Sequence, residues 1–97
     1  MIQREGDRIT VSGRLTLDTA RLAASSLFNG ELRSVAGDKL VVDLARVDAV
    51  DSSAVSVLLQ WSRQARENGV ELSFINLPPN LRSLANLYDV AEVLSIS

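Results

Sequence analysis

Apolar and polar residues alternate at Ile2-Gln3-Arg4 and again at Arg8-Ile9-Thr10-Val11-Ser12, and the Glu5-Gly6-Asp7 between them has the composition of a hairpin turn. The pattern predicts two antiparallel strands. After Gly13 the period changes: Leu17, Ala20, Ala23, Ala24 and Leu27 recur at the spacing of one helical face, with Thr16 or Asp18 available as a cap. A first helix is expected there, with a break near Asn29-Gly30. Leu40-Val41-Val42-Asp43-Leu44 is a nearly continuous aliphatic run rich in β-branched residues, as in a central strand covered on one face or both.

Ser52 to Glu67 reads as a second helix that stops at Asn68-Gly69, a pair suited to a left-handed cap. Val70-Glu71-Leu72-Ser73-Phe74-Ile75 then alternates like a strand. Strand, helix and strand in this order predict a right-handed crossover with parallel strands. Pro78-Pro79-Asn80 punctuates the chain, after which Leu81, Leu84, Ala85 and Tyr88 return at helical spacing with Pro79 tolerated in the first turn. Tyr88 is expected to pack against the core with its polar tip at the edge. The tail from Val93 to Ser97 is expected to be a last short strand or an extended segment on the sheet. The order ββαβαβα predicts a single α/β domain over residues 1–97: a mixed, mostly parallel β-sheet with helices largely on one face.

The 97 residues suffice for one core, and 46% hydrophobic with 23% charged residues is ordinary globular composition. Ten basic residues against twelve acidic ones give a net charge of −2, with Lys and Arg scattered, so the footprint of a nucleic-acid binder is missing. The N-terminal MIQREGDRITVSG has neither a signal-peptide core nor an apolar run of membrane-spanning length. A soluble protein with no membrane insertion is expected, and the absence of cysteine is compatible with the cytosol. Without histidine or cysteine the common zinc sites and nucleophile pairs cannot be built, and the five glycines are too far apart for a dinucleotide or phosphate loop. No cofactor, no metal and no enzymatic activity are expected. A carboxylate cluster of Asp43, Asp48 and Asp51 is the one catalytic alternative, and it would act without a histidine or cysteine beside it.

Chemistry concentrates in Ala49 to Trp61, AVDSSAVSVLLQW, where an acid and two hydroxyls stand before an aliphatic run. On a helical wheel its apolar residues, with Ala65, spread over roughly 200°, about twice the stripe that a surface helix buries. Ala54, Leu58 and Ala65 face the sheet, with Val57 and Trp61 on one flank and Val55 and Leu59 on the other. Burial of both flanks is the bland reading. The functional reading makes Asp51, Ser52, Ser53, Ser56, Val57 and Trp61 a partner-binding surface. Asp51, Ser52 and Ser53 also stand where the helix N-terminus leaves N–H groups unpaired, so capping is expected of at least one of them. Capping and contact are compatible. A phosphate on Ser52 would be tolerated by the helix dipole, yet its charge of about −1.5 to −2 would repel a partner that had desolvated the hydroxyl.

Strand Leu40 to Leu44, the segment Val47-Asp48-Ala49-Val50-Asp51-Ser52-Ser53-Ala54-Val55, the following helix and the closing Leu84-Ala85-Asn86-Leu87-Tyr88 together resemble a STAS domain across essentially the whole chain. The family's pattern at the helix start is Asp, Ser or Thr, a small residue, Gly and an aliphatic, here Asp51, Ser52, Ser53, Ala54 and Val55. The resemblance implies that Ser52 is the phosphoacceptor candidate. Two positions depart from the pattern: Ala54 replaces the glycine, and Gly13-Arg14-Leu15-Thr16 has threonine where many antagonists have an acid. Length and the Leu-Ala-x-Leu-Tyr ending resemble the MlaB-like branch. That branch implies a non-catalytic subunit, peripheral to the inner membrane through its complex, that binds the ATPase of an ABC-type phospholipid transporter maintaining outer-membrane lipid asymmetry. The alternative is an anti-sigma-factor antagonist whose partner is an anti-sigma factor kinase.

Overall fold

The expected hairpin forms in the computed structural model, which describes residues 2–26, 39–90 and 94. Strands β1 (Ile2–Glu5) and β2 (Arg8–Leu15) pair antiparallel, with Ile2 opposite Val11 and Glu5 opposite Arg8. Gly6 takes φ +59 at the first of the two turn positions, a conformation that strains other residues. Helix α1 (Leu17–Ser26) follows, then strand β3 (Lys39–Val50), helix α2 (Ser52–Glu67), strand β4 (Glu71–Ile75) and helix α3 (Pro79–Leu87). The sheet order is β1-β2-β3-β4, with β2–β3 and β3–β4 parallel. This is the mixed, mostly parallel sheet that the sequence predicts. The break expected near Asn29-Gly30 and the tail from Val93 to Ser97 lie outside the described residues, except for Leu94, which is buried.

β3 extends well past Leu44, where the aliphatic run ends. Its register with β2 slips between Thr10 and Ser12 and again between Gly13 and Arg14, each time inserting an extra β3 residue. Such bulges shift the inward phase of a strand, so the buried set runs Leu40, Val42, Leu44 and then Val47. The opposite face of the sheet leaves Thr10, Asp43 and Ser73 half-exposed and carries the ion pairs Arg8–Asp43 at 3.6 Å and Lys39–Glu71 at 3.7 Å. The helices lie on the inward face. There Phe74 and Val42 of the sheet, Leu58 of α2 and Leu81 of α3 share one core.

α2 ends as expected, with Gly69 at φ +69 and Val70 N–H donating to Ala65 O at 2.8 Å, a closing turn that satisfies carbonyls at the helix end. α3 closes in the same way with Asp89 at φ +57 and Val90 N–H donating to Ala85 O at 3.0 Å. At the other end of the sheet the pairing of Leu15 with Val50 makes β2 and β3 finish level. One residue after each of them, Thr16 and Asp51, a helix begins. Two helix N-termini are thereby placed side by side.

Candidate functional site

Asp51 stands between those two helix starts in extended conformation, with φ −138 and ψ −170. Its Oδ1 accepts Ser53 N–H at 2.8 Å, which makes Asp51 the cap of α2 among the three candidates, while its Oδ2 accepts Leu17 N–H at 3.0 Å, the first residue of α1. The hydrogen bond from Leu17 N–H, with that from Ser53 N–H, lowers the Asp51 pKa from the ordinary aspartate value against partial desolvation and the neighbouring charge of Asp18. Asp18 is itself held low, first by the Thr16 hydroxyl and then by the Arg14 guanidinium, which lies 2.6 Å from its carboxylate. An acid therefore does stand near the α2 tip. It comes from the first turn of α1 rather than from the position of Thr16.

Ser52 and Ser56 are exposed and Ser53 is half-buried, so the serines form a low ridge along the first turns of α2. Val57 and Trp61, expected on an exposed contact flank, are instead core: they are 1% and 0% exposed. α1 packs chiefly against α2, with Leu17, Ala20 and Arg21 beside Val57, and both Val57 and Trp61 belong to the core cluster beneath. Val55 is buried and Leu59 half-buried on the other flank. Much of the wide apolar arc is thus explained by burial. Tyr88 departs in the opposite sense. Expected to pack with only its polar tip at the edge, it is 50% exposed, because it follows the last turn of α3 as its C-cap while Leu81 and Ala85 take the buried face.

Two grooves flank the serine ridge. The one toward α3 has a volume of about 380 Å³ and is lined by Ser52, Ser53, Val55, Ser56, Leu59, Tyr88 and Val90. The one toward α1, about 510 Å³, is lined by Leu17, Ala20 and Arg21 opposite Ser53, Ser56, Val57, Gln60 and Gln64. Leu17, 77% exposed, borders the second groove as Tyr88 borders the first. Asp51, Ser52, Ser53 and Ser56 are therefore brought together at one surface, whereas Trp61 is not part of it and Val57 contributes only to a groove floor. Leu17 and Tyr88 were missed as surface residues because their spacing matches a buried helical face. Their places, first residue of one helix and cap of another, were the available signal.

Asp43, Asp48 and Asp51 are not gathered as a cluster. Asp43 accepts Ala45 N–H at 3.0 Å and Asn76 Nδ2–H at 3.2 Å, ties that, with Arg8 and Arg46, keep its pKa low against partial burial. Among the described residues no three His, Cys, Asp or Glu side chains are grouped to hold a metal ion, and no helix is long and apolar enough to cross a membrane.

The family model described as "Mlab, STAS domain" matches residues 1–95. Comparison by sequence with curated proteins gives no match. Several solved structures share the fold. A putative anti-sigma factor antagonist from Thermotoga maritima superposes with a TM-score of 0.75 at 14% identity, over 99% of this chain and 83% of that one. The anti-sigma factor antagonist SpoIIAA in its unphosphorylated form gives 0.64 at 14% identity, over 90% and 81%. The murine anion transporter Slc26a9 gives 0.74 at 16% identity over 93% of this chain, which spans only 15% of the transporter. At these identities the likeness is one of fold.

Proposed function

The chain belongs to the STAS domain family, and from that premise we propose that it is a non-catalytic binding module that docks another protein on the serine ridge of α2 and the grooves beside it. One observation supports this most: Ser52 and Ser56 stand exposed and unbulky between two grooves whose outer borders, Leu17 and Tyr88, are exposed apolar side chains. Small hydroxyls at the centre allow close approach, while apolar borders supply surface whose removal from water drives association. The partner in this reading is the ATPase subunit of an ABC-type phospholipid transport system that maintains outer-membrane lipid asymmetry, with the protein cytoplasmic and peripheral to the inner membrane through that complex. The family description and the Leu84-Ala85-Asn86-Leu87-Tyr88 ending support that choice.

Co-purification of the wild type and Ser52→Asp with the candidate ATPase tests the reading. Ser52 opens a helix, where a carboxylate is favoured by the dipole, so the substitution leaves the fold intact while adding charge to the contact. Loss of the ATPase from the Ser52→Asp preparation is expected. Equal recovery of both would contradict the docking face.

A second reading is supported by the exposure of Ser52 and by the likeness to SpoIIAA, whose structure is of an unphosphorylated form. In it the protein is an anti-sigma-factor antagonist and an anti-sigma factor kinase phosphorylates Ser52, releasing the partner. Intact-mass measurement after incubation with the kinase and ATP decides: a shift of one phosphate, absent in Ser52→Ala, supports this reading, and an unchanged mass counts against it.

A further inference from the structure

β2 and β3 end level, at Leu15 and Val50, and each is followed by one linking residue and then a helix. Two helix N-termini side by side are two positive ends of peptide dipoles, a juxtaposition that is unfavourable unless negative charge lies between them. Asp51 supplies it. We propose that Asp51 is a positioning residue that clasps two helices: one carboxylate oxygen caps α2, the other holds the start of α1, and together they set the spacing of α1 and α2 and so the shape of the groove between Leu17 and Ser53. The Asp51 residue is assigned this second role from its own geometry; that the groove serves docking rests on the preceding reading.

Three further observations favour a clasp over a local cap. The acceptor for Leu17 N–H lies 34 residues away in the chain, so this bond is a tertiary one. Thr16, in the position that should cap α1, directs its hydroxyl to the Asp18 carboxylate, and its own N–H goes to Thr19 Oγ1 at 3.1 Å. The first amide of α1, Leu17 N–H, is thus held by Asp51 and not by Thr16. Apolar burial gives α1 little alternative hold near this end: Leu17, Arg21 and Leu22 are exposed, and of the described side chains of α1 Ala20 is the apolar one packed against the core.

Asp51→Asn and Asp51→Ser separate the two roles, because Asn and Ser cap a helix about as well as Asp but offer one acceptor oxygen where the carboxylate offers two. That oxygen stays with Ser53, two residues away, since closing the local turn costs less than reaching α1. Amide hydrogen exchange followed by NMR on the isolated protein is the readout. In both variants Leu17 N–H and the next amides of α1 are expected to exchange about tenfold faster or more, with Ser53 and Ala54 N–H unchanged. Wild-type exchange at Leu17 in both variants would overturn the clasp, as would loss of protection at Leu17 and Ser53 to the same extent. No partner is present, so the outcome stands apart from whether an ATPase docks here.

Discussion

Trp61 presents the largest side chain of α2 to the interior with no exposed surface, so truncating it removes packing rather than contact. Trp61→Ala is expected to cost about 3–5 kcal/mol of stability, read by chemical denaturation, and to weaken partner binding only through unfolding. Ser52→Asp is expected to leave the denaturation midpoint within error, which separates the surface residue from the core one. Asp89 gives a stabilising counterpart. A non-glycine residue at φ +57 is strained, and Asp89→Gly is expected to raise stability by about 1 kcal/mol, measured as a shift in the same midpoint. For Asp51 the relevant variable is pH. Its folded pKa lies below the unfolded value because Leu17 and Ser53 donate to the ionised form, so its stabilisation is complete above the ordinary aspartate range and is lost as pH falls through that range to the lowered folded value. Asp51→Asn is expected to flatten the acid limb of a stability-against-pH curve, leaving the part due to Asp18 and Asp43, whose values are lowered too. An unchanged limb would show that the two hydrogen bonds do not discriminate between the charged and neutral forms.

Helix α2 was legible in the sequence from end to end, because its start and stop are local chemistry: Asp51 reaches Ser53 two residues on, and Gly69 takes the left-handed turn. α3 was legible at its start, with Pro79 in a first turn that needs no N–H from it, but not at its stop, where Tyr88 caps the helix and does not continue its buried face. β3 was legible only as far as Leu44. Beyond it the first of the two bulges slips the inward phase, so Ala45-Arg46 breaks the alternation and Val47 resumes it one position out of step. A sequence pattern read with a fixed period stops at such a slip. The site was legible in the same partial way. The serine ridge and its cap were readable from spacing, whereas the burial of Trp61 and the bond from Leu17 to Asp51 depend on tertiary packing, which no local pattern specifies. Helix ends also carry an energetic expectation: Gly69→Ala forces a side chain into the left-handed region and is expected to cost about 1 kcal/mol, seen as earlier loss of helical signal on heating.

Across the whole molecule the two faces of the sheet have different tasks. The inward face and the helices form the core, while the outward face is a solvated surface crossed by the Arg8–Asp43 and Lys39–Glu71 pairs. Exposed large apolar side chains lie on the helical side, at Leu17 and Leu22 of α1 and at Leu87 and Tyr88 by the end of α3. Two of them border the grooves beside the serine ridge. A partner that recognises this molecule through apolar contact therefore finds its surface on the helical layer, and the polar sheet face offers it charged residues already paired. Mapping amide shift changes in the labelled protein on titration with the ATPase tests this most directly. The account predicts changes concentrated at Leu17, Ser52, Ser53, Ser56 and Tyr88; changes concentrated at Thr10, Val41 and Ser73 on the open sheet face, with the α2 start unmoved, would contradict it.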